Sequence, residues 1–129
     1  MHRYFVTLGH WVVLSSSILA GCSSPAANEP ELPCDVNAVL THVCQTCHTS
    51  PPLHGAPFPL VTYADTQAPF SAPPTYDNTP TFRVMGDVVA AGVMPEQYPG
   101  VSITDAERKV IVDWAANGGH PKPAGATCH

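Results

Sequence analysis

Two cysteines and a histidine fall within five consecutive residues, Cys44-Gln45-Thr46-Cys47-His48, and no other stretch of the 129-residue chain constrains the fold as strongly. On one helical turn ending in a bend, thiols three positions apart share a side and the next residue's imidazole lies close to them. Little else in the composition can organise the molecule. Only 12% of residues are charged, against roughly 25% in ordinary soluble domains, and 15 prolines predict few helices and long irregular connections. The length allows one ordinary domain. Five basic against ten acidic residues give a net charge of −5, and no basic cluster exists beyond Arg108-Lys109. Such a chain offers no surface for phosphate backbones, so nucleic acid is set aside as a partner.

Cys-x-x-Cys-His is the pattern of c-type haem attachment. The two thiols can add to the two vinyl groups on one edge of a haem, and the adjacent imidazole then sits under the iron. The rivals lack their context. A thioredoxin-like redox pair wants a surrounding βαβ pattern, which Pro51-Pro52 does not offer. A structural zinc site wants a second Cys/His pair at ligand spacing, and none of the remaining histidines supplies one. The expected cofactor is one covalently attached haem c.

Residues 1–21 read as a secretory address: a short start with Arg3, an apolar run from Phe5 to Leu14, then small residues. Leu19-Ala20-Gly21-Cys22 resembles the bacterial lipobox, which implies lipid on Cys22. An ordinary signal peptide cleaved near Ala20 or a single membrane helix are the alternatives, although the apolar run is shorter than the ~18 residues a spanning helix needs. Removing residues 1–21 deletes only Arg3, leaving four basic and ten acidic residues, or −6. Residues 22–33 are Pro-, Ser- and Ala-rich and read as a flexible tether. Residues 34–129 form the expected folded domain, small enough to need a cross-link or cofactor besides its core.

With the pentad, a helix leading into it, a wandering middle, Met94-Pro95 and a last amphipathic helix, residues 34–129 resemble the class I cytochrome c family, in its small mono-haem lipoprotein form. The resemblance implies an all-α, cytochrome c-like domain whose long Pro-rich loops wrap one haem. It implies Cys44 and Cys47 as attachment sites, His48 as proximal ligand and Met94 as distal ligand. Members with this layout often read Met-Pro-Pro, where this chain has Met94-Pro95-Glu96.

The residues argue for the distal ligand independently. Candidates are Met85, Met94, His42, His54, His120 and His129. His42 precedes the pentad on the same helix and cannot easily reach the other face. Met85 lies in Phe82-Met85-Val88-Val89, a helical stripe that reads as core. Met94 follows Gly92 at a helix end and precedes Pro95, which favours an extended loop with the sulfur turned inward. His54 and His120 are the runners-up. Among the five cysteines, Cys34 and Cys128 are left over and flank the domain, so a disulfide is expected in an oxidising compartment. Two free thiols, or exchange chemistry at Cys34, are the alternatives.

Helix one is expected from about Asp35, as N-cap, to Cys47, on the stripe Val36, Val39, Leu40, Val43, Cys44 and Cys47. Eight prolines lie between Ser50 and Pro80, so that segment must wrap something, with one short turn at Val61–Asp65. Phe58, Tyr63, Phe70 and Tyr76 are candidates to cover the porphyrin or bond a propionate, as is Arg83. Another helix should start with Pro80 at N1 and run to about Ala91, ending at Gly92. Thr104-Asp105-Ala106-Glu107 matches a capping box, and Gly118-Gly119 stops that last helix. The family resemblance implies that it crosses helix one, with Trp114 as the aromatic anchor.

The sequence thus points to a one-electron carrier rather than an enzyme, anchored by Cys22 to a membrane of the bacterial cell envelope, periplasmic or outward-facing. Its expected partners are redox proteins with positive or neutral docking faces, and the protein is expected to be monomeric. The alternatives are a peroxidase-like haem enzyme or a gas or redox sensor, either of which needs an open distal position.

Overall fold

A computed structural model describes residues 29–70 and 78–129. The expectations for the signal segment 1–21, for lipidation of Cys22 and for Tyr76 lie outside the described residues. Among those described, the chain is all-α, with no strand: α1 (Cys34–His42), a 3₁₀ turn (Cys44–Thr46), α2 (Tyr63–Gln67), α3 (Thr81–Ala90) and α4 (Asp105–Ala116). None of these helices is long and apolar enough to cross a membrane.

α1 buries its apolar stripe, with Val36 1%, Val39 4% and Leu40 0% exposed. Its boundaries differ from the expected ones at both ends. Pro33 occupies the N-cap, and Asp35 sits inside the first turn, where its Oδ1 accepts from the Val36 amide at 2.9 Å and its charge favours the helix N-terminus. At the other end α1 stops at His42, and the chain tightens into the 3₁₀ turn instead of continuing to Cys47. The Cys47 amide donates to the Cys44 carbonyl (3.1 Å) in place of the Val43 carbonyl that a continuing α-helix would use. Tertiary bonds hold the tightened turn: Gln45 Nε2 donates to the Leu60 carbonyl (3.0 Å), while the Cys47 and His48 carbonyls accept from the Leu53 and Leu60 amides (both 2.8 Å).

α2 begins two residues later than the expected turn, because Thr62 and Asp65 form a capping box at its start. It is tied to the end of α4: Tyr63 Oη and Gln67 Nε2 both donate to the Gly119 carbonyl, at 3.1 and 3.2 Å. α3 lies within one residue of its expected limits, with Pro80 at the N-cap rather than N1. The Thr104–Glu107 capping box opens α4 as the sequence indicated, and Gly118 and Gly119, both at positive φ, end it.

α4 packs on both α1 and α3, and most extensively on α3. Ile111 (0% exposed) and Ala115 (5%) face inward. Trp114, the expected anchor of an α1–α4 crossing, packs against the core cluster to which α1 contributes Val36, Val39 and Leu40. It also meets Phe82 of α3, with ring centroids 5.8 Å apart, and donates Nε1–H to the His120 carbonyl at 2.8 Å, so the indole has an apolar partner and its N–H an acceptor.

Gly86 marks the closest approach of α3 and α4, since a Cβ there would lie 2.4 Å from the Ala115 Cβ. Both atoms ride on helix backbone, so neither can swing away. Gly86→Ala is therefore expected to destabilise the fold by about 1–2 kcal/mol, overpacking outweighing the better helix propensity of Ala. Urea unfolding checks this, and a more stable variant would contradict the close approach.

The packed part of the chain begins before Cys34. Leu32, placed by the sequence in the tether, is 7% exposed and joins the core. Lys122 holds the same stretch through its amide to the Glu31 carbonyl (2.7 Å) and its ammonium to the Glu31 carboxylate. Beside these contacts Cys34 and Cys128 form a disulfide, with Cα atoms 5.4 Å apart across 94 residues.

Candidate functional site

The 3₁₀ turn, the 54–60 loop, α3 and the loop after α3 enclose a cavity of about 330 Å³. Cys44, Cys47 and His48 line it, and so does Met94, 46 residues away in sequence and brought in by the chain after α3. Val84, Met85, Val88 and Val89 of α3, with Leu60, Val101 and Ile103, make the rest of the lining largely aliphatic. Met85 is 6% exposed and belongs to the core cluster, while also reaching the cavity.

His48 is oriented by one neighbour in two ways. Its Nδ1 lies 2.9 Å from the Phe58 carbonyl, and its ring packs on the Phe58 ring at a centroid distance of 5.0 Å. A carbonyl can only accept, so Nδ1 carries a proton, and in the neutral ring the lone pair then lies on Nε2. That is the state in which an imidazole ligates a metal, with its second nitrogen fixed by an outer partner. Phe70 packs edge-on against Phe58 at 5.4 Å and also lines the cavity.

Burial pushes the Cys44 thiol up to about 11, and the neighbouring charges of Cys47 and Glu107 add to the effect. Cys44 is thus a neutral thiol near pH 7, not an activated thiolate of the kind redox-exchange cysteines need. Glu107 joins this corner from the first turn of α4. Its carboxylate accepts from the Thr104 amide and hydroxyl (both 2.8 Å) and from His42 Nδ1 (2.7 Å). Those bonds, the Thr104 amide foremost, hold its carboxyl down at about 2. Because the folded value lies below the usual 4.5, the stability Glu107 contributes is present above about pH 4.5 and is lost as pH falls toward 2. Glu107→Gln is expected to flatten the melting temperature over that window, and an unchanged slope would remove Glu107 as the cause.

Of the other sequence candidates, His54 lines the cavity, but its ring stacks on Tyr98 at 4.6 Å and meets the Tyr98 hydroxyl at 3.3–3.4 Å. His42, His120 and His129 are exposed and do not line it. Tyr63 points to Gly119, and Arg83 lies on the exposed side of α3 with its guanidinium 5.9 Å from the Phe82 ring centre; neither lines the cavity. Sequence reasoning missed Glu96, Gln97 and Tyr98 as lining residues, and only their closeness to Met94 could have suggested them. Among the described residues, no three His, Cys, Asp or Glu side chains converge as a metal-binding group.

Fold and site together define an all-α domain with an aliphatic cavity on which a Cys-x-x-Cys-His turn and a methionine loop meet. No protein-family model, curated protein or solved structure matches the chain.

Proposed function

We propose that the protein is a one-electron carrier of the class I cytochrome c kind, holding one haem c through thioethers to Cys44 and Cys47, with His48 and Met94 as axial ligands. The observation that carries this reading is the meeting of Cys44, Cys47, His48 and Met94 on one aliphatic cavity. The donor set fits the group: two thiols for attachment, an imidazole whose Nδ1 is held by a carbonyl and whose Nε2 is left for a metal, and a soft thioether. When bound, the haem supplies a one-electron iron couple.

The protein's own residues set the properties of that couple. A Met opposite a His favours a higher potential than two nitrogen ligands do. Phe58 fixes the His48 ring and strengthens it as a donor through the Nδ1 bond. The largely aliphatic lining lowers the local dielectric, which raises the cost of net charge at the site. Leu53, Val93 and Tyr98 are exposed large apolar residues that are themselves cavity-lining or adjoin lining residues in sequence, a suitable rim for brief contact with a redox partner. The proposal includes lipid attachment at Cys22 and a place in the bacterial cell envelope, and the Cys34–Cys128 bridge fits an oxidising compartment.

The test is the absorption spectrum of protein matured with c-type haem machinery, before and after carbon monoxide. A sulfur-to-iron band in the ferric state, absent in Met94→Ala, and no carbon monoxide response in the wild type are expected. A high-spin wild type that binds carbon monoxide readily would overturn the Met94 role and favour an enzyme or sensor.

A further inference from the structure

α3 ends in a way that places Met94. The last four carbonyls of a helix have no partner within it, and here the following chain folds back to use them. Gly92, at φ +71, turns the chain, and its amide donates to the Val89 carbonyl at 3.1 Å. The Val93 and Met94 amides then both donate to the Val88 carbonyl, at 2.9 and 3.1 Å. The backbone of Met94 is thereby pinned to the last turn of α3, and what steadies that turn also steadies the thioether.

One side chain from another element reaches this turn. Arg108, in the second turn of α4, donates Nη1–H to the Val89 carbonyl, beside the Val88 carbonyl that holds Met94. Arg108 is half-buried and, among the described residues, forms no ion pair, whereas Lys109 pairs with Asp113 and Lys122 with Glu31. Its charge goes to the negative end of α3, where a cation is favoured and the bond is charge-assisted. Its own backbone is fixed, since the Arg108 amide donates to the Thr104 carbonyl at 2.9 Å in the turn closed by the Thr104–Glu107 box. Arg108 does not line the cavity, so it acts only through what it holds.

We infer that Arg108 is a positioning residue for Met94: it locks the C-terminal turn of α3 whose Val88 carbonyl anchors the Met94 amide. The inference rests on the axial role of Met94 proposed above. Arg108→Ala and Arg108→Lys are compared with wild type in the full, haem-loaded chain, with Lys109→Ala as a surface control. Amide hydrogen exchange at Val93 and Met94 is read against Cys47 and His48, alongside the pH at which the sulfur-to-iron band disappears.

In Arg108→Ala, exchange at Val93 and Met94 rises about tenfold, as loss of a charge-assisted bond implies, while Cys47 and His48 stay unchanged. The band is lost at lower pH than in wild type, Arg108→Lys falls between the two, and Lys109→Ala matches wild type. If Arg108→Ala fails to fold, Arg108→Lys, which keeps the charge without the planar fork, carries the same comparison. Unmoved Val93 and Met94 amides, or an equal rise at all four positions, overturn the inference while leaving the ligand reading intact. A wild type without the band overturns the ligand reading itself, and the inference with it.

Discussion

Replacing both Cys34 and Cys128 by serine lowers the free energy of unfolding by on the order of 4.5 kcal/mol, the chain-entropy value for a loop of this length and an upper figure. The bridge spans 94 residues and so encloses almost all of the packed chain. Domains of this size hold only about 5–15 kcal/mol in total, so the loss removes a large share of the margin. The double replacement leaves no unpaired thiol and does not touch Cys44 or Cys47. Urea unfolding followed by far-ultraviolet dichroism measures the effect, and reductant added to the wild type should reproduce it. A change below about 1 kcal/mol would mean that the contacts of Leu32 and Lys122 already hold that end, leaving the bridge little to add.

The second large effect concerns attachment. In the wild type, the intact mass of protein matured with c-type haem machinery should include one haem beyond the polypeptide and its lipid, and that increment should persist through denaturation. Cys44→Ala/Cys47→Ala should lose that increment completely, while either single replacement should keep one linkage. The double variant retains His48, Met94 and the aliphatic cavity, so it should still take up added haem reversibly. Uptake without the thiols but not in a further His48→Ala variant would assign the attachment and ligand roles separately. A wild-type mass equal to that of the bare chain would defeat the proposed cofactor.

What could be read in advance was what local chemistry decides. The α4 capping box and its glycine stop, the limits of α3 to within a residue, and the pairing of Cys34 with Cys128 all follow from short-range rules or from simple inventory. The Cys-x-x-Cys-His unit and Met94 are read together from a family resemblance and from the loop position of Met94, and all four side chains line one cavity. The misses share a cause. α1 stops at His42 and the chain tightens into a turn that Gln45, Leu53 and Leu60 tie to the following loop, contacts that no local pattern announces. The partners that Trp114 finds in Phe82 and the His120 carbonyl come from chain segments that meet only in space, which the helical stripe of α4 does not announce. Leu32 hides in a segment whose composition is that of a linker, and only the packed core reveals that one apolar residue in it is spent on the fold.

The bridge between Cys34 and Cys128 also has a mechanical meaning. A pull transmitted from the preceding chain meets Glu31 and Leu32 first and then Cys34, the first residue of α1 and the one covalently joined to the C-terminal segment. Peeling α1 away from that end would have to drag residues near Cys128 along, and with them the Lys122 contacts to Glu31. The load is shared at the edge of the domain before it reaches the turn that carries Cys44, Cys47 and His48. The first turn of α1 and the C-terminal segment are thereby joined covalently, so they move together.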